Sequence, residues 1–302
     1  TQGSYQVKTP GMDLSGVYPG LDFLRDFRVG KKVKVGKKVA VIGGGNTAID
    51  AARTALRLGA EEVNLIYRRT REEMPAADEE IEEAMREGVR PYFLTDPIKV
   101  EGAKGKVAKL VCTRMTLGDF DKSDRRRPVP VAGTEFEIEV DMVIPAIGQQ
   151  TELDGLVGDK IRVDGGYIMV DKYTMATDRE GVFSGGDVIG QEATVVWAMR
   201  NGQRAATEID RHLGGSGRLP EAVRAKFNIG AIPRQGEEEI AEEPRVKQNY
   251  LPVGDRKGSF VETELGFDAA MAAKEASRCL RCDYGKEDLP FQKQELEIAK
   301  GK

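Results

Sequence analysis

Between Lys37 and Gly148 the apolar positions switch repeatedly between strand and helix spacing. Residues 39–42 form a continuous apolar run that breaks at Gly43-Gly44-Gly45, and residues 47–58 then repeat at the three-to-four spacing of an amphipathic helix. Residues 63–67 read as the next strand, 76–87 as a charged helix and 90–94 as a third strand. Three β-rich stretches follow at 98–100, 107–115 and 135–140, and a last buried strand over 142–147 stops at Gly148. This order predicts a doubly wound α/β unit with an antiparallel excursion near its end.

On either side the pattern thins. Residues 1–35 read as a lead-in segment with turns at Pro10-Gly11 and Pro19-Gly20 and a short helix over 21–27. Within 149–215, a hairpin is expected around Gly165-Gly166. A short strand over 182–184 then runs into Gly185-Gly186-Asp187, and a long helix covers 194–213. Residues 216–302 form a C-terminal extension with an acidic run at 237–243, a helix over 267–279 and a charged tail.

Composition narrows the class. The chain has 302 residues, 40% hydrophobic and 32% charged, which suits a globular protein of two or so domains. Net charge of −4 supplies no basic field for a nucleic-acid backbone, so no nucleic-acid partner is expected. No apolar run reaches the roughly 20 residues of a membrane span. The polar, turn-rich start is unlike a signal peptide, and three cysteines are too few for a disulfide framework, so a reducing cytoplasm is expected. The single histidine, His212, precedes Gly214-Gly215 at a helix end, a capping position rather than a proton relay.

The strand, glycine turn and helix start at 39–58 form the layout that a dinucleotide pyrophosphate needs. Gly43 permits the turn, Gly45 lets backbone approach phosphate without a Cβ in the way, and Ala48 lets helix and strand pack closely. The residue about 20 positions beyond such a turn meets the adenosine ribose, where an acid favours NAD and a cation NADP. Here stand Arg68 and Arg69, in Tyr67-Arg68-Arg69-Thr70-Arg71. A guanidinium pairs bidentately with phosphate, so NADPH is favoured over NADH; a basic turn in water is the plainer alternative. Arg125-Arg126-Arg127 sits in a polar stretch and reads as solvated. Gly186-Asp187 places a carboxylate where it could accept from flavin ribityl hydroxyls, with a helix starting near Thr194. An exposed Asp in a glycine turn fits those residues equally well.

Four motifs, VIGGGNTAIDAAR, YRRTREEMPA, MVIPAIGQ and GVFSGGDV, occur in this order. Together they resemble the small subunit of glutamate synthase and its relatives, over roughly residues 10–215. These relatives include the pyridine-nucleotide half of dihydropyrimidine dehydrogenase and the large subunit of NADH-dependent ferredoxin:NADP oxidoreductase. The resemblance implies a Rossmann-like three-layer NADPH domain (36–148) inserted into an FAD-binding domain of disulfide-reductase type, whose C-terminal part is 149–215. It implies that Gly43, Gly45, Asn46 and Thr47 meet the NADPH phosphates and that Arg68 and Arg69 meet the 2′-phosphate. Ala146 to Gly148 would pass near the nicotinamide, and Gly186, Asp187, Thr194 and Val195 would contact FAD.

Members of that family carry an earlier G-x-G-x-x-G for the FAD adenosine, and this sequence has none before the NADPH turn. The expectation is an incomplete FAD domain, finished by a missing N-terminal segment or by a redox partner subunit. Cys279 and Cys282, in E-A-S-R-C-L-R-C, resemble family segments beside iron–sulfur clusters. C-x-x-C spacing lets two thiolates grip one metal or cluster, so the pair is half a site completed elsewhere, or an unpaired dithiol. The expected function is an NADPH-dependent flavin oxidoreductase component that passes electrons from FAD to iron–sulfur centres. The alternative is an NADP(H)-binding module without activity of its own.

Overall fold

The computed structural model describes residues 2–5, 8–121, 124–153, 161–191, 193–218 and 244–277. They divide into two compact units. The first runs through residue 218 and takes in Arg256–Phe260, and the second comprises 244–255 and 261–277. Strand β1 (Gln2–Ser4) and helix α1 (Gly20–Arg28) open the chain, followed by β2 (Lys38–Ile42), α2 (Asn46–Arg57), β3 (Glu62–Ile66), α3 (Asp78–Glu87) and β4 (Arg90–Tyr92). The antiparallel stretch holds β5 (Thr95–Ala103), β6 (Lys106–Phe120), β7 (Arg126–Pro130) and β8 (Phe136–Glu139), and the chain returns through β9 (Met142–Pro145) and β10 (Gln149–Thr151). Beyond these lie the hairpin β11 (Val163–Asp164) and β12 (Tyr167–Ile168), then α4 (Val195–His212). Last come β13 (Asn249–Tyr250), α5 (Val253–Arg256), β14 (Glu264–Gly266) and α6 (Ala269–Ser277).

Four parallel strands in the order β4-β3-β2-β9 form the centre. Side chains alternate across a strand, so a run that is apolar at every position must be covered on both sides. Val39, Val41, Val63, Leu65, Met142 and Ile144 face one core, which receives Phe23 of α1, the alanines and Ile49 of α2, and Ile81 and Ala84 of α3. Ala40, Ile42, Ile66 and Val143 face another, filled by Val100, Leu110, Cys112 and Ile138 of the antiparallel sheet. The unit therefore has three layers, helices on one face and β5-β6-β8 on the other. The doubly wound expectation is corrected on this point, because the excursion itself covers the face that a second helical layer would cover.

β1 pairs antiparallel with β10, Gln2 opposite Thr151 and Ser4 opposite Gln149. The chain thus enters and leaves the three-layer unit through two hydrogen-bonded strands side by side, the connection expected of a domain inserted into another. The stretch read as a solvated Arg125-Arg126-Arg127 loop supplies β7, which pairs with the distal half of β6, Met115 opposite Pro130 and Phe120 opposite Arg126. Near the other end, the strand expected at 182–184 is reduced to one bridge between Ala176 and Phe183.

Burial is uneven. The core on the helical face contains twenty buried residues, whereas the one among residues 161–218 contains three, Ile168, Met175 and Ile189. Helix α4 buries Asn201 alone among its described residues, and Val195, Val196 and Met199 are exposed on it. His212 ends α4 with its ring edge-on to Phe183, a packing role. No described helix is long and apolar enough to cross a membrane.

Cys112 lies fully buried between the two sheets, and burial pushes its thiol up to about 12. The thiolate is the reactive form. Cys112 is therefore expected to stay unmodified by iodoacetamide at pH 8 in the native protein and to react only after denaturation, as read by peptide mapping.

Candidate functional site

The carboxyl ends of β2, β3 and β9 surround a cavity of about 490 Å³. β2 lies between β3, which follows it through α2, and β9, which arrives much later in the chain. That is the point where strand order reverses and where open α/β sheets leave a crevice. Gly43, Gly44, Gly45 and Thr47 line one wall, Tyr67, Arg68 and Arg69 another, and Ala146 to Gln149 a third.

The three glycines have different reasons to be glycine. Gly43 has φ of +143°, and a Cβ there would fall 2.3 Å from the Ala146 carbonyl oxygen. A Cβ on Gly44 would strike the Tyr67 ring at 2.5 Å. Tyr67 is locked in place because its hydroxyl donates to the Glu73 carbonyl at 2.6 Å, and the Ala76 amide closes the same turn onto the Gly44 carbonyl. Gly45 has ordinary backbone angles, and a Cβ there would come no closer to protein than 3.8 Å, from Pro75. The fold demands Gly43 and Gly44. At Gly45 it leaves open space facing the cavity.

Helix α2 starts at this wall with no side-chain cap and no acidic residue in its first turn. Its first amides lack intrahelical partners, and the helix dipole places partial positive charge there. Asn46 and Thr47 are the first two residues of this turn, and the Thr47 hydroxyl accepts from Gln149 at 3.2 Å, tying the helix start to the exit of β9. The expected phosphate-contacting set Gly43, Gly45, Asn46 and Thr47 thus stands together, and Ala146 and Gly148 lie across the cavity from it.

Arg68 and Arg69 part company. Arg68 is exposed at the cavity. Arg69 is buried and donates through Nε to the Arg126 carbonyl at 2.7 Å, while Nη2 lies 2.6 Å from Asp121 Oδ2. Two charged cavity residues, Asp96 and Arg125, were not among the expected site residues, and Arg125 was expected to be solvated. Asp96 joins the wall through β5, and burial pushes its carboxyl up while the Arg68 charge pulls it down. Arg125 reaches the same wall from the β6–β7 turn, for which a run of arginines in a polar stretch was the only signal.

The second expected site lies on the later segment. Gly186 has φ of +74° and opens a short 3-10 turn that includes Asp187 and packs on α4. The Thr194 hydroxyl accepts from the Trp197 amide at 3.3 Å, so it caps its own helix, and Val195 is 76% exposed. Beneath Gly185 both amide atoms of Asn201 are buried with no hydrogen-bond partner. Buried amides are normally satisfied, so this surface is suited to a polar group in addition to those described. Cys279 and Cys282 lie outside the described residues, and among the described residues no cluster could hold a metal ion.

Residues 2–202 match the pyridine nucleotide-disulphide oxidoreductase family. The chain is 44% identical over 275 residues to the NADP(+)-dependent formate dehydrogenase subunit beta of Moorella thermoacetica, covering 88% of this chain and 39% of that one. It is 34% identical over 237 residues to the glutamate synthase [NADPH] small chain of Azospirillum brasilense, covering 73% of this chain and 48% of that one. Among solved structures, T. acidophilum thioredoxin reductase aligns with a TM-score of 0.55 at 20% identity, covering 71% of this chain and 64% of that one; at that identity the likeness shows the fold. The chain spans less than half the length of these two curated relatives. It belongs to the pyridine nucleotide-disulphide oxidoreductase family, and the resemblance to the glutamate synthase small subunit holds.

Gly43 serves the fold, and Gly45 leaves room at the cavity. Gly43→Ala is expected to lower the unfolding free energy by more than about 2 kcal/mol, from backbone strain and overlap together. Gly45→Ala should change it by no more than about 1 kcal/mol, the scale of a helix-cap change. Urea denaturation of the two variants checks both.

Proposed function

We propose that this member of the pyridine nucleotide-disulphide oxidoreductase family binds NADPH in the cavity at the β2–β3–β9 edge and exchanges hydride between NADP(H) and FAD. The observation that carries the reading is the pairing, in one cavity, of an uncapped helix start with an exposed arginine at the end of the next strand. The first amides of α2, at Asn46 and Thr47, face the pyrophosphate, and Gly45 leaves it room. Arg68 meets the 2′-phosphate. Ala146 and Gly148, at the end of β9, line the nicotinamide end.

FAD, when bound, supplies the two-electron acceptor for hydride and releases electrons singly to iron–sulfur centres. Gly186, Asp187, Thr194 and Val195 form this chain's share of its site, with Asp187 offered to ribityl hydroxyls and Asn201 available for a further polar contact. Hydride transfer needs orientation and exclusion of water more than a protein acid or base, which fits a cavity without histidine. The electrons pass to a redox partner, with Cys279 and Cys282 as half of a cluster site. That the relatives are named as subunits supports a partner chain. The compartment this reading implies is the cytoplasm.

A second reading, an NADP(H)-binding module inactive by itself, is favoured by α4, which leaves Val195, Val196 and Met199 exposed. Anaerobic addition of NADPH to the purified chain supplied with FAD distinguishes the two. Bleaching of the flavin band supports hydride transfer, whereas tight NADPH binding without bleaching supports the module.

In either case Arg68→Gln should weaken NADPH binding by about 10- to 100-fold, the worth of a hydrogen-bonded charge pair, and NADH binding by less than about threefold. Equal losses for both nucleotides would remove Arg68 from the 2′-phosphate. Gly45→Ala should weaken both nucleotides alike.

A further inference from the structure

We propose that Asp96 is a specificity-determining residue of the nucleotide cavity. When ionised it opposes the 2′-phosphate and holds the preference for NADPH over NADH below the one Arg68 alone would set. The inference deepens the NADPH reading above and rests on it.

A strained corner of the fold brings this carboxylate to the cavity. β4 passes into β5 through Leu94, whose φ of +47° is rare for a residue with a side chain. Three backbone hydrogen bonds hold the corner. The Leu94 amide donates to the Arg69 carbonyl at 3.0 Å, the Thr95 amide to the Tyr67 carbonyl at 3.0 Å, and the Met115 amide to the Leu94 carbonyl at 2.7 Å. The first two bracket Arg68, so Asp96, the next residue, is delivered within reach of the Arg68 charge, and both side chains line the cavity.

The fold gives this carboxylate no hydrogen bond among the described residues, and Asp96, half-buried, meets Arg68 through charge alone. A structural ion pair on the same wall looks different, Arg69 closing on Asp121 to 2.6 Å. The other ionisable groups around Asp96 belong to β6 and the β6–β7 turn. Arg114 lies over the Phe136 ring at 4.3 Å and donates to the Thr95 hydroxyl at 3.4 Å. The Cys112 thiol, pushed up to about 12, stays uncharged, and Arg125 lines the cavity from the turn. Among the described lining residues Asp96 is the only acid.

An acid in that place works against a phosphate dianion on Arg68, because like charges repel across a half-buried wall more strongly than in open water. Burial already favours the protonated acid against the pull of Arg68, and a bound dianion favours it further. Binding of the 2′-phosphate is therefore coupled to proton uptake at Asp96. The opposition is full where the carboxyl is ionised and fades as pH falls through its raised range.

Calorimetric titration of the full chain with 2′,5′-ADP and 5′-AMP, which differ only in the 2′-phosphate, tests this in wild type, Asp96→Asn, Asp96→Ser and Arg68→Gln. Thermal melts confirm folding, and since both Asp96 variants remove the charge, either suffices if the other does not fold. At about pH 8 each should tighten 2′,5′-ADP by about three- to tenfold and change 5′-AMP by less than about twofold. The ratio of variant to wild-type affinity for 2′,5′-ADP should fall towards one as pH is lowered to about 5, and the ligand's own phosphate ionisation cancels in that ratio. Asp96 variants that weaken 2′,5′-ADP, leave it unchanged at about pH 8 or tighten both probes alike overturn the inference. If Arg68→Gln still loses 2′,5′-ADP selectively, the NADPH reading survives that result. A gain of the same size at both pH values also overturns the inference, because the opposition would then not come from the ionised acid. A wild type that binds both probes equally, with no loss in Arg68→Gln, overturns both.

Discussion

At the end of β2 the backbone of Gly43 lies so close to the Ala146 carbonyl that no side chain fits between them. This contact sets how near β2 and β9 come at their carboxyl ends, and it aims the chain from strand into helix. The Gly43 amide donates to the Ile66 carbonyl at 3.0 Å, and the Ala146 amide to the Ile42 carbonyl at 2.7 Å, so all three strand ends are stitched around the turn. Because they are, the first amides of α2 open onto a cavity rather than onto packed side chains. The same contact accounts for the difference between Gly43, which the protein needs for itself, and Gly45, where it leaves room.

Around that turn the charges are arranged by depth. Arg53 and Arg57 of α2 both reach Glu87 at the end of α3, and Arg256 adds a further contact to Glu87 at 3.2 Å, locking the helical layer at a distance from the cavity. Burial alone would push the Glu87 carboxyl up, but Arg53 and Arg57 outweigh it and hold the carboxyl below its ordinary range. On the cavity side, Arg69 and Asp121 form the corresponding lock between the parallel sheet and the antiparallel hairpin. Buried pairs of this kind contribute more to a defined geometry than to net stability. Arg68 and Arg125 line the same cavity.

The two halves of the first unit differ in self-sufficiency. The three-layer part closes its own cores on both faces of a four-stranded sheet. Among the described residues after β10 in this unit, three apolar residues form a small buried core, and the long helix buries only Asn201. The paired strands β1 and β10 join the two. The three-layer part carries its cavity on its own residues, whereas the described residues after β10 have little core of their own.

Periodicity by itself determined the strand–turn–helix over 39–58 and the buried parallel strands, because those depend on neighbours in sequence. Four ordered motifs determined the family. Tertiary structure decided what depends on residues far apart. The second face of the sheet went to β5, β6 and β8 rather than to helices, because the antiparallel excursion folds back over it. Arg68 and Arg69, adjacent and alike in sequence, were given opposite surroundings by a hairpin tip more than fifty residues away, Asp121 claiming the second of them. Arg125, indistinguishable on paper from its two neighbours, was brought to the cavity by the pairing register of β6 with β7. A run of like residues records composition, and only long-range packing decides which of its members lines the cavity.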